Sequence, residues 1–186
     1  MTSLRKYVEE KNVCSLPWLL AEVQLHKHYL GPCCKYDENL GSLQNTELPI
    51  VWFGDKFKNF RQKMLDGVPL DGCKTCYISE NVFSYKDKKN KDFSYMLDKI
   101  DVDAPSLPKI VHVGLTNICN LACRMCNPNQ SSKLHQFINK SSNLKSFYPV
   151  FYADNKVDPK NLKGSFAETE IVTFMGGEPM IDESCL

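Results

Sequence analysis

The hydrophobic residues of the chain repeat most regularly in residues 55–67, where polar residues separate them at helical spacing. The apolar face consists of Phe57, Phe60, Met64 and Leu65. Asp55 is expected to cap the amino end of this helix, and Gly67 is expected to close its carboxyl end. The pattern therefore predicts an amphipathic helix over residues 55–67.

Shorter apolar runs predict strands elsewhere in the chain. Residues 110–115 and 170–175 are rich in β-branched side chains, and both predict buried strands. Residues 18–29 have strand-like spacing, and residues 131–139 show one apolar side that predicts a helix. A strand, a helix and a second strand in this order predict the α/β class.

Composition and charge limit the classes of function. Hydrophobic residues make up 42% of the 186 residues, which is enough to form a core. The net charge of +1 argues against bulk electrostatic binding to nucleic acid. No apolar run approaches the length of a membrane span, and no signal peptide is recognised. We therefore expect a cytoplasmic protein that does not bind membranes.

The chain contains nine cysteines, and seven of them fall in three tight groups. Without an export signal, disulfide bonds are not expected, so this grouping favours metal or cluster binding. Cys14 stands apart in the sequence but is a candidate to join one of the groups in space. Cys185 stands alone and is interpreted as an incidental thiol.

The third group, Cys119, Cys123 and Cys126, follows directly after the strand predicted over residues 110–115. Three thiolates on one loop can hold three irons of a cubane cluster and leave the fourth iron without a protein ligand. The alternative is a structural zinc site that takes its fourth ligand from His112 or His135. The strand over residues 170–175 ends in Gly-Gly-Glu-Pro, and glycines at a strand end allow close approach of the backbone to a ligand.

The loop, in the form TNxCNLxCxxC, together with a later strand that ends in GGEP, resembles the radical S-adenosylmethionine (radical SAM) superfamily. The resemblance implies that Cys119, Cys123 and Cys126 bind a 4Fe–4S cluster, whose open iron binds S-adenosylmethionine. It also implies a cofactor-binding role for four further residues and assigns no catalytic residue. Those four are Gly176, Gly177, Glu178 and Pro179.

The amino-terminal cysteines form a second candidate site. Cys14, one of the pair Cys33 and Cys34, and the Cys73/Cys76 pair can supply four thiolates to a fully ligated centre. The spacing does not decide between Cys33 and Cys34, and a four-cysteine zinc site would use the same ligands.

The motifs around these cysteines, Cys-x-x-Pro-Trp, Gly-Pro-Cys-Cys and Cys-x-x-Cys, resemble the Twitch form of the SPASM auxiliary domain. The resemblance implies a second, auxiliary 4Fe–4S cluster on Cys14, Cys33, Cys73 and Cys76. It also implies an auxiliary iron–sulfur region at 1–85 and the start of a radical SAM core at 109–186. Between them, the lysine-rich residues 85–91 and the two prolines of residues 102–108 predict an exposed linker at 86–108.

The fold implied by the resemblance is an incomplete (β/α)6 partial barrel preceded by a small cysteine-rich α+β domain. A six-unit barrel needs about 180 residues, whereas residues 109–186 supply only its first two strands. We therefore expect a shortened form or a fragment without a complete active site, in which the second strand has an unpaired edge. Complementation by another chain is the alternative.

The activity implied for the parent enzyme is reductive cleavage of S-adenosylmethionine to a 5′-deoxyadenosyl radical. The implied partners are S-adenosylmethionine, an electron donor such as flavodoxin or ferredoxin, and a peptide or protein substrate. The alternative function is a non-catalytic iron–sulfur or zinc module that acts as an electron carrier.

Overall fold

The structure is a computed structural model that describes residues 2–78, 85–147 and 159–181. The α-helices are α1 (Leu4–Lys11), α2 (Leu16–Leu19), α3 (Leu48–Trp52), α4 (Asp55–Leu65), α5 (Lys74–Ile78), α6 (Tyr85–Asp92), α7 (Ser132–Asn139) and α8 (Ser142–Phe147). The strands are β1 (Leu20–Gln24), β2 (Tyr29–Gly31), β3 (Ile110–Thr116) and β4 (Ile171–Gly176). Short 3₁₀ helices cover Leu25–Lys27, Asp71–Cys73, Ser94–Lys99, Pro128–Gln130, Pro159–Leu162 and Pro179–Ile181.

The four strands form one open sheet in the order β2-β1-β3-β4. β1 pairs with β2 in antiparallel fashion, and β3 pairs in parallel with both β1 and β4. The register places Glu22 of β1 beside His112 of β3, and His112 beside Thr173 of β4. Helices together with a mostly parallel sheet confirm the predicted α/β class.

The strand-like spacing over residues 18–29 is confirmed for β1 and is wrong at both ends of β1, because the segment also contains the end of a helix and a 3₁₀ turn. Trp18 and Leu19 belong to α2, which has Pro17 in its first turn, where the missing N–H has no intrahelical partner to lose. The chain becomes extended at Leu20 and turns back through the 3₁₀ helix Leu25–Lys27 into β2. β2 ends at Gly31.

The strands predicted over residues 110–115 and 170–175 correspond to β3 and β4, so their positions are confirmed. The expected burial of the second strand is wrong. Val172 is 42% exposed and Phe174 is 56% exposed, because β4 lies at the edge of the sheet and only its β3 side is paired within the described residues. Their partners in β3, Val111 and Val113, are fully buried.

The predicted amphipathic helix is confirmed as α4, with Phe57 and Phe60 buried. The amino-terminal cap is Gly54 rather than Asp55, because Asp55 is the first residue of the helix itself. Gly67 closes the carboxyl end at φ +71°, and its N–H donates to the Met64 carbonyl at 3.2 Å. The predicted helix over residues 131–139 is confirmed as α7, for which Ser131 is the cap.

The exposure expected for residues 86–108 is wrong for much of the segment. Its lysine-rich start forms α6, and Met96, Leu97 and Ile100 are at most 2% exposed. These side chains join the same hydrophobic cluster as Trp18 and Trp52. The domain boundaries given above remain predictions.

Arg61 connects three helices from inside the core, where it is 4% exposed. Its Nε donates to the Pro17 carbonyl of α2 at 2.9 Å, and its Nη1 donates to the Trp52 carbonyl of α3 at 2.9 Å. The guanidinium also lies 4.3 Å from the centre of the Trp52 ring. Burial lowers the pKa of Arg61 to about 10.

The described part of residues 140–169 contains α8 and the 3₁₀ helix Pro159–Leu162. Cys185 lies outside the described residues. Within the described ranges, no helix combines the length and the apolar character needed to cross a bilayer.

Candidate functional site

The loop that carries Cys119, Cys123 and Cys126 begins where β3 ends, as its sequence predicts. We call residues 117–127 the cysteine loop. Cys119 and Cys126 are half-buried and Cys123 is exposed, and all three are free thiols. The tip of the loop is open to solvent, with Met125 at 97% exposure. The thiols are therefore accessible to a metal group from solution.

Hydrogen bonds fold the cysteine loop back on itself. The Cys126 N–H donates to the Cys123 carbonyl at 3.0 Å, and the Leu121 N–H donates to the Cys119 sulfur at 3.4 Å. The Cys126 thiol donates to the Asn127 carbonyl at 3.6 Å. The backbone thus already makes a turn between the second and third cysteines, and one thiol already accepts an amide hydrogen bond.

Residues 176–179, which we call the glycine segment, lie directly on the cysteine loop. β3 and β4 are parallel neighbours, so the segments that follow them leave the same edge of the sheet. The Gly177 N–H donates to the Thr116 carbonyl at 2.9 Å, and the Glu178 N–H donates to the Ile118 carbonyl at 2.8 Å. These two bonds connect the two motifs that the sequence singles out.

Glycine is required at both positions of the pair because of this close approach. Gly176 has φ +120°, a conformation that L side chains rarely adopt, and a Cβ there would overlap the Thr116 carbonyl oxygen. A Cβ on Gly177 would overlap the Ile118 carbonyl oxygen. Glu178 accepts a hydrogen bond from the Met180 N–H at 3.2 Å, and Pro179 begins a 3₁₀ helix. The segment therefore presents a tightly held backbone beside the thiols.

The structure brings the four amino-terminal cysteines to one pocket of about 170 Å³. Cys14, Cys33, Cys73 and Cys76 all line it, and the rest of its wall is largely apolar, including Pro32. We call it the thiol pocket. The sequence places these cysteines in three separate segments, and the fold brings all four to the wall of one pocket.

Burial raises the pKa of each of these four thiols, most strongly for Cys14. The pKa of Cys33 and of Cys73 rises to about 12, in each case mainly through burial. Neighbouring sulfurs add to the effect, since Cys33, Cys73 and Cys76 all raise the pKa of Cys14. In the metal-free pocket, burial therefore favours the neutral, protonated form of all four thiols.

Cys33 and Cys34 differ in what they contact, which the sequence does not reveal. Cys33 is 9% exposed and lines the thiol pocket, whereas Cys34 is exposed. The Cys34 sulfur lies 3.4 Å from the hydroxyl of Tyr85 at the start of α6. This arrangement favours Cys33 as the ligand.

The histidine considered as a zinc ligand for the cysteine loop has a different neighbour. His112 is in the middle of β3, and its Nδ1 lies 3.1 Å from the Glu22 carboxylate, which is 2% exposed. His135 lies in α7. Within residues 2–78, 85–147 and 159–181, no three His, Cys, Asp or Glu side chains are arranged as a group that could hold a metal ion.

Sequence reasoning missed two serines that contact the cysteine loop. Ser131 is fully buried, and its hydroxyl donates to the Leu121 carbonyl at 2.8 Å. The Ser132 hydroxyl accepts from the Cys119 N–H at 3.0 Å. The signal available in the sequence was the Ser-Ser pair at the start of a predicted helix, where a serine is a preferred cap.

Comparison of the chain with family models, with curated proteins and with solved structures gives no match in any of the three.

Proposed function

We propose that the chain is a radical SAM iron–sulfur protein that binds a 4Fe–4S cluster on Cys119, Cys123 and Cys126. The observation that carries the proposal is the glycine segment, which is hydrogen-bonded to the cysteine loop where two parallel strands end. A structural zinc site needs four converging ligands and no adjoining backbone cradle. A cofactor that binds beside the thiols requires such an adjoining backbone segment.

The chain's own residues have separate tasks in this proposal. The three thiols hold the cluster and leave one iron open to S-adenosylmethionine. The glycine segment orients the cofactor through Gly176, Gly177, Glu178 and Pro179, and no residue is assigned a catalytic role. When bound, the cluster supplies the electron for reductive cleavage of S-adenosylmethionine to methionine and a 5′-deoxyadenosyl radical.

Further parts of the proposal follow the same resemblance. β3 and β4 are the first two strands of a radical SAM partial barrel, and the electron donor is a flavodoxin or ferredoxin. The proposed substrate is a peptide or protein, by analogy of fold alone. The proposed location is the cytoplasm, where free thiols persist.

The test is anaerobic reconstitution with iron and sulfide, followed by EPR spectra of the reduced protein with and without S-adenosylmethionine. We expect the cofactor to change the EPR signal, because it binds directly to one iron. The Cys119→Ala/Cys123→Ala/Cys126→Ala variant should lose that response. A signal that the cofactor leaves unchanged would refute cofactor binding by this chain.

A second candidate function, a non-catalytic iron–sulfur or zinc module that carries electrons, is favoured by a different observation. Four buried or half-buried thiols line one pocket that lies outside the cysteine loop. These thiols are the predicted site of the auxiliary 4Fe–4S cluster, with Cys14, Cys33, Cys73 and Cys76 as ligands.

Metal analysis of cysteine variants separates this centre from the cysteine loop. The triple-alanine loop variant should keep about four irons per chain, because the pocket has its own ligands. In that background, Cys33→Ala should remove most of the remaining iron, whereas the matched control Cys34→Ala should keep it. Zinc in place of iron would assign the pocket to a structural zinc site, and an iron-free, zinc-free triple variant would rule out any metal centre in the thiol pocket.

A further inference from the structure

The cysteine loop is pinned at its base by the first residues of the helix that follows it. The Ser132 hydroxyl accepts from the Cys119 N–H at 3.0 Å and donates to the Cys119 carbonyl at 3.3 Å. The Ser132 N–H also donates to the Asn117 carbonyl at 2.7 Å. One serine therefore contacts the peptide groups on both sides of the first cysteine.

Ser131 adds a second pin at Leu121, four residues before Met125 at the tip of the loop. Its hydroxyl donates to the Leu121 carbonyl at 2.8 Å and accepts from the Leu134 N–H at 3.2 Å, so it also caps α7. Ser131 is fully buried, and a buried hydroxyl that satisfies two backbone groups is costly to remove. The loop and the start of α7 are thus one hydrogen-bonded unit.

The tip of the cysteine loop is more exposed than its hydrogen-bonded base. Residues 121–125 are all exposed, and the chain returns through the 3₁₀ helix Pro128–Gln130, in which Pro128 is buried. The Asn127 side chain accepts from the Asn129 N–H at 2.8 Å and caps this return. The loop is consequently closed at both ends while the tip that carries Cys123 stays accessible.

We propose that Ser131 and Ser132 are positioning residues that order the base of the cysteine loop, around Cys119 and Leu121, before any metal group arrives. A ligand loop that is already ordered loses less conformational entropy when it binds. Ser132 fixes the backbone of Cys119 directly, and Ser131 fixes the turn that leads to Cys123. The consequence for metal binding rests on the function proposed above, whereas the effect on the loop does not.

Ser132→Ala is the cleaner variant, because alanine is a good helix former at the first residue of α7. Ser132→Thr keeps the hydroxyl and serves as the rescue. Ser142→Ala is the matched control, since Ser142 is an exposed serine at the first residue of α8. Ser131→Ala is expected to combine the loss of the pin with fraying of α7.

The first measurement is amide hydrogen exchange in the metal-free chain, resolved at Cys119 and Leu121. Two ordinary hydrogen bonds correspond to roughly ten- to thirtyfold faster exchange at Cys119 in Ser132→Ala. Exchange of the β3 amides should not change, which shows that the sheet is intact. Ser132→Thr should exchange like the original chain, and so should Ser142→Ala.

The second measurement is the rate at which a ferrous chelator removes iron from the reconstituted loop. Ser132→Ala should release this iron at least severalfold faster than Ser142→Ala, and Ser132→Thr should restore slow release. If Cys119 exchanges equally fast in Ser132→Ala and the original chain, the positioning role is wrong. If exchange changes as expected but the original chain binds no iron at the loop, the positioning role stands and the proposed function fails.

Discussion

Replacing Gly177 with alanine tests the contact on which the proposed function depends. The added Cβ would overlap the Ile118 carbonyl oxygen and crowd the Asn117 carbonyl carbon, which lies 2.7 Å away. Both are backbone atoms and cannot rotate aside as a flexible side chain can. The glycine segment must therefore move away from the cysteine loop.

The size of the effect follows from what that movement breaks. The hydrogen bonds from the N–H groups of Gly177 and Glu178, at 2.9 and 2.8 Å, would lengthen or be lost. Each contributes about 1 kcal/mol, and overpacking typically costs about 1–3 kcal/mol. We expect Gly177→Ala to destabilise this part of the chain by about 2–4 kcal/mol.

The assay combines urea unfolding, followed by circular dichroism, with amide exchange at Glu178. Gly164→Ala is the control: Gly164 has φ +78° but nothing within 4 Å of a Cβ. It should cost only about 1–2 kcal/mol of backbone strain and leave Glu178 unaffected. An unchanged Glu178 exchange rate in Gly177→Ala, with unfolding within roughly 0.5 kcal/mol of the original chain, would show that the two motifs are not packed together.

Two further predictions concern the core and the thiol pocket. Arg61→Lys should lower the free energy of unfolding by about 2–3 kcal/mol, because one ammonium cannot reach both the Pro17 and Trp52 carbonyls or stack on Trp52 as a guanidinium does. Urea unfolding measures the loss. A similarly small effect of Arg61→Lys and of Arg124→Lys, which changes an exposed arginine, would contradict it. The metal-free chain should also lose stability as the pH rises above about 8.5, the ordinary thiol pKa, towards the pKa of about 12 that burial gives Cys33 and Cys73. In that range the unfolded chain releases protons that the folded chain keeps, so unfolding is favoured. Between pH 8 and 10, the urea midpoint should fall less in Cys33→Ala/Cys73→Ala than in the original chain. An equal fall in the two proteins would refute the raised pKa values of Cys33 and Cys73.

Local sequence patterns correctly predicted the helices and strands that depend mainly on their own residues. The 3.6-residue spacing of Phe57 and Phe60 predicted α4, and the β-branched run before Cys119 predicted β3. The strand-like spacing at Trp18 failed because Pro17 favours a helical turn that a two-residue alternation does not describe. The burial predicted for Phe174 failed because a strand's place within its sheet depends on its partners and not on its own composition.

The candidate site was likewise predictable where its pattern is local and not where it depends on contacts between distant residues. The cysteine spacing identified the loop at Cys119, but the contact of Gly177 with Thr116 depends on the parallel pairing of β3 with β4. The choice of Cys33 over Cys34 depends on which side chain faces the pocket, and adjacent residues give no spacing signal. Ser132 was overlooked because its role lies in a hydrogen bond to Cys119, thirteen residues earlier in the chain.

The parallel pairing of β1 with β3 has a consequence for synthesis on the ribosome. The two strands meet across a sequence separation of about ninety residues, as the Glu22–His112 contact shows. Until β3 has emerged, β1 has only the three residues of β2 as a partner, and an isolated hairpin is marginal in water. Closing so long a loop also slows folding. β1 therefore stays without its parallel partner until a segment translated several seconds later has emerged.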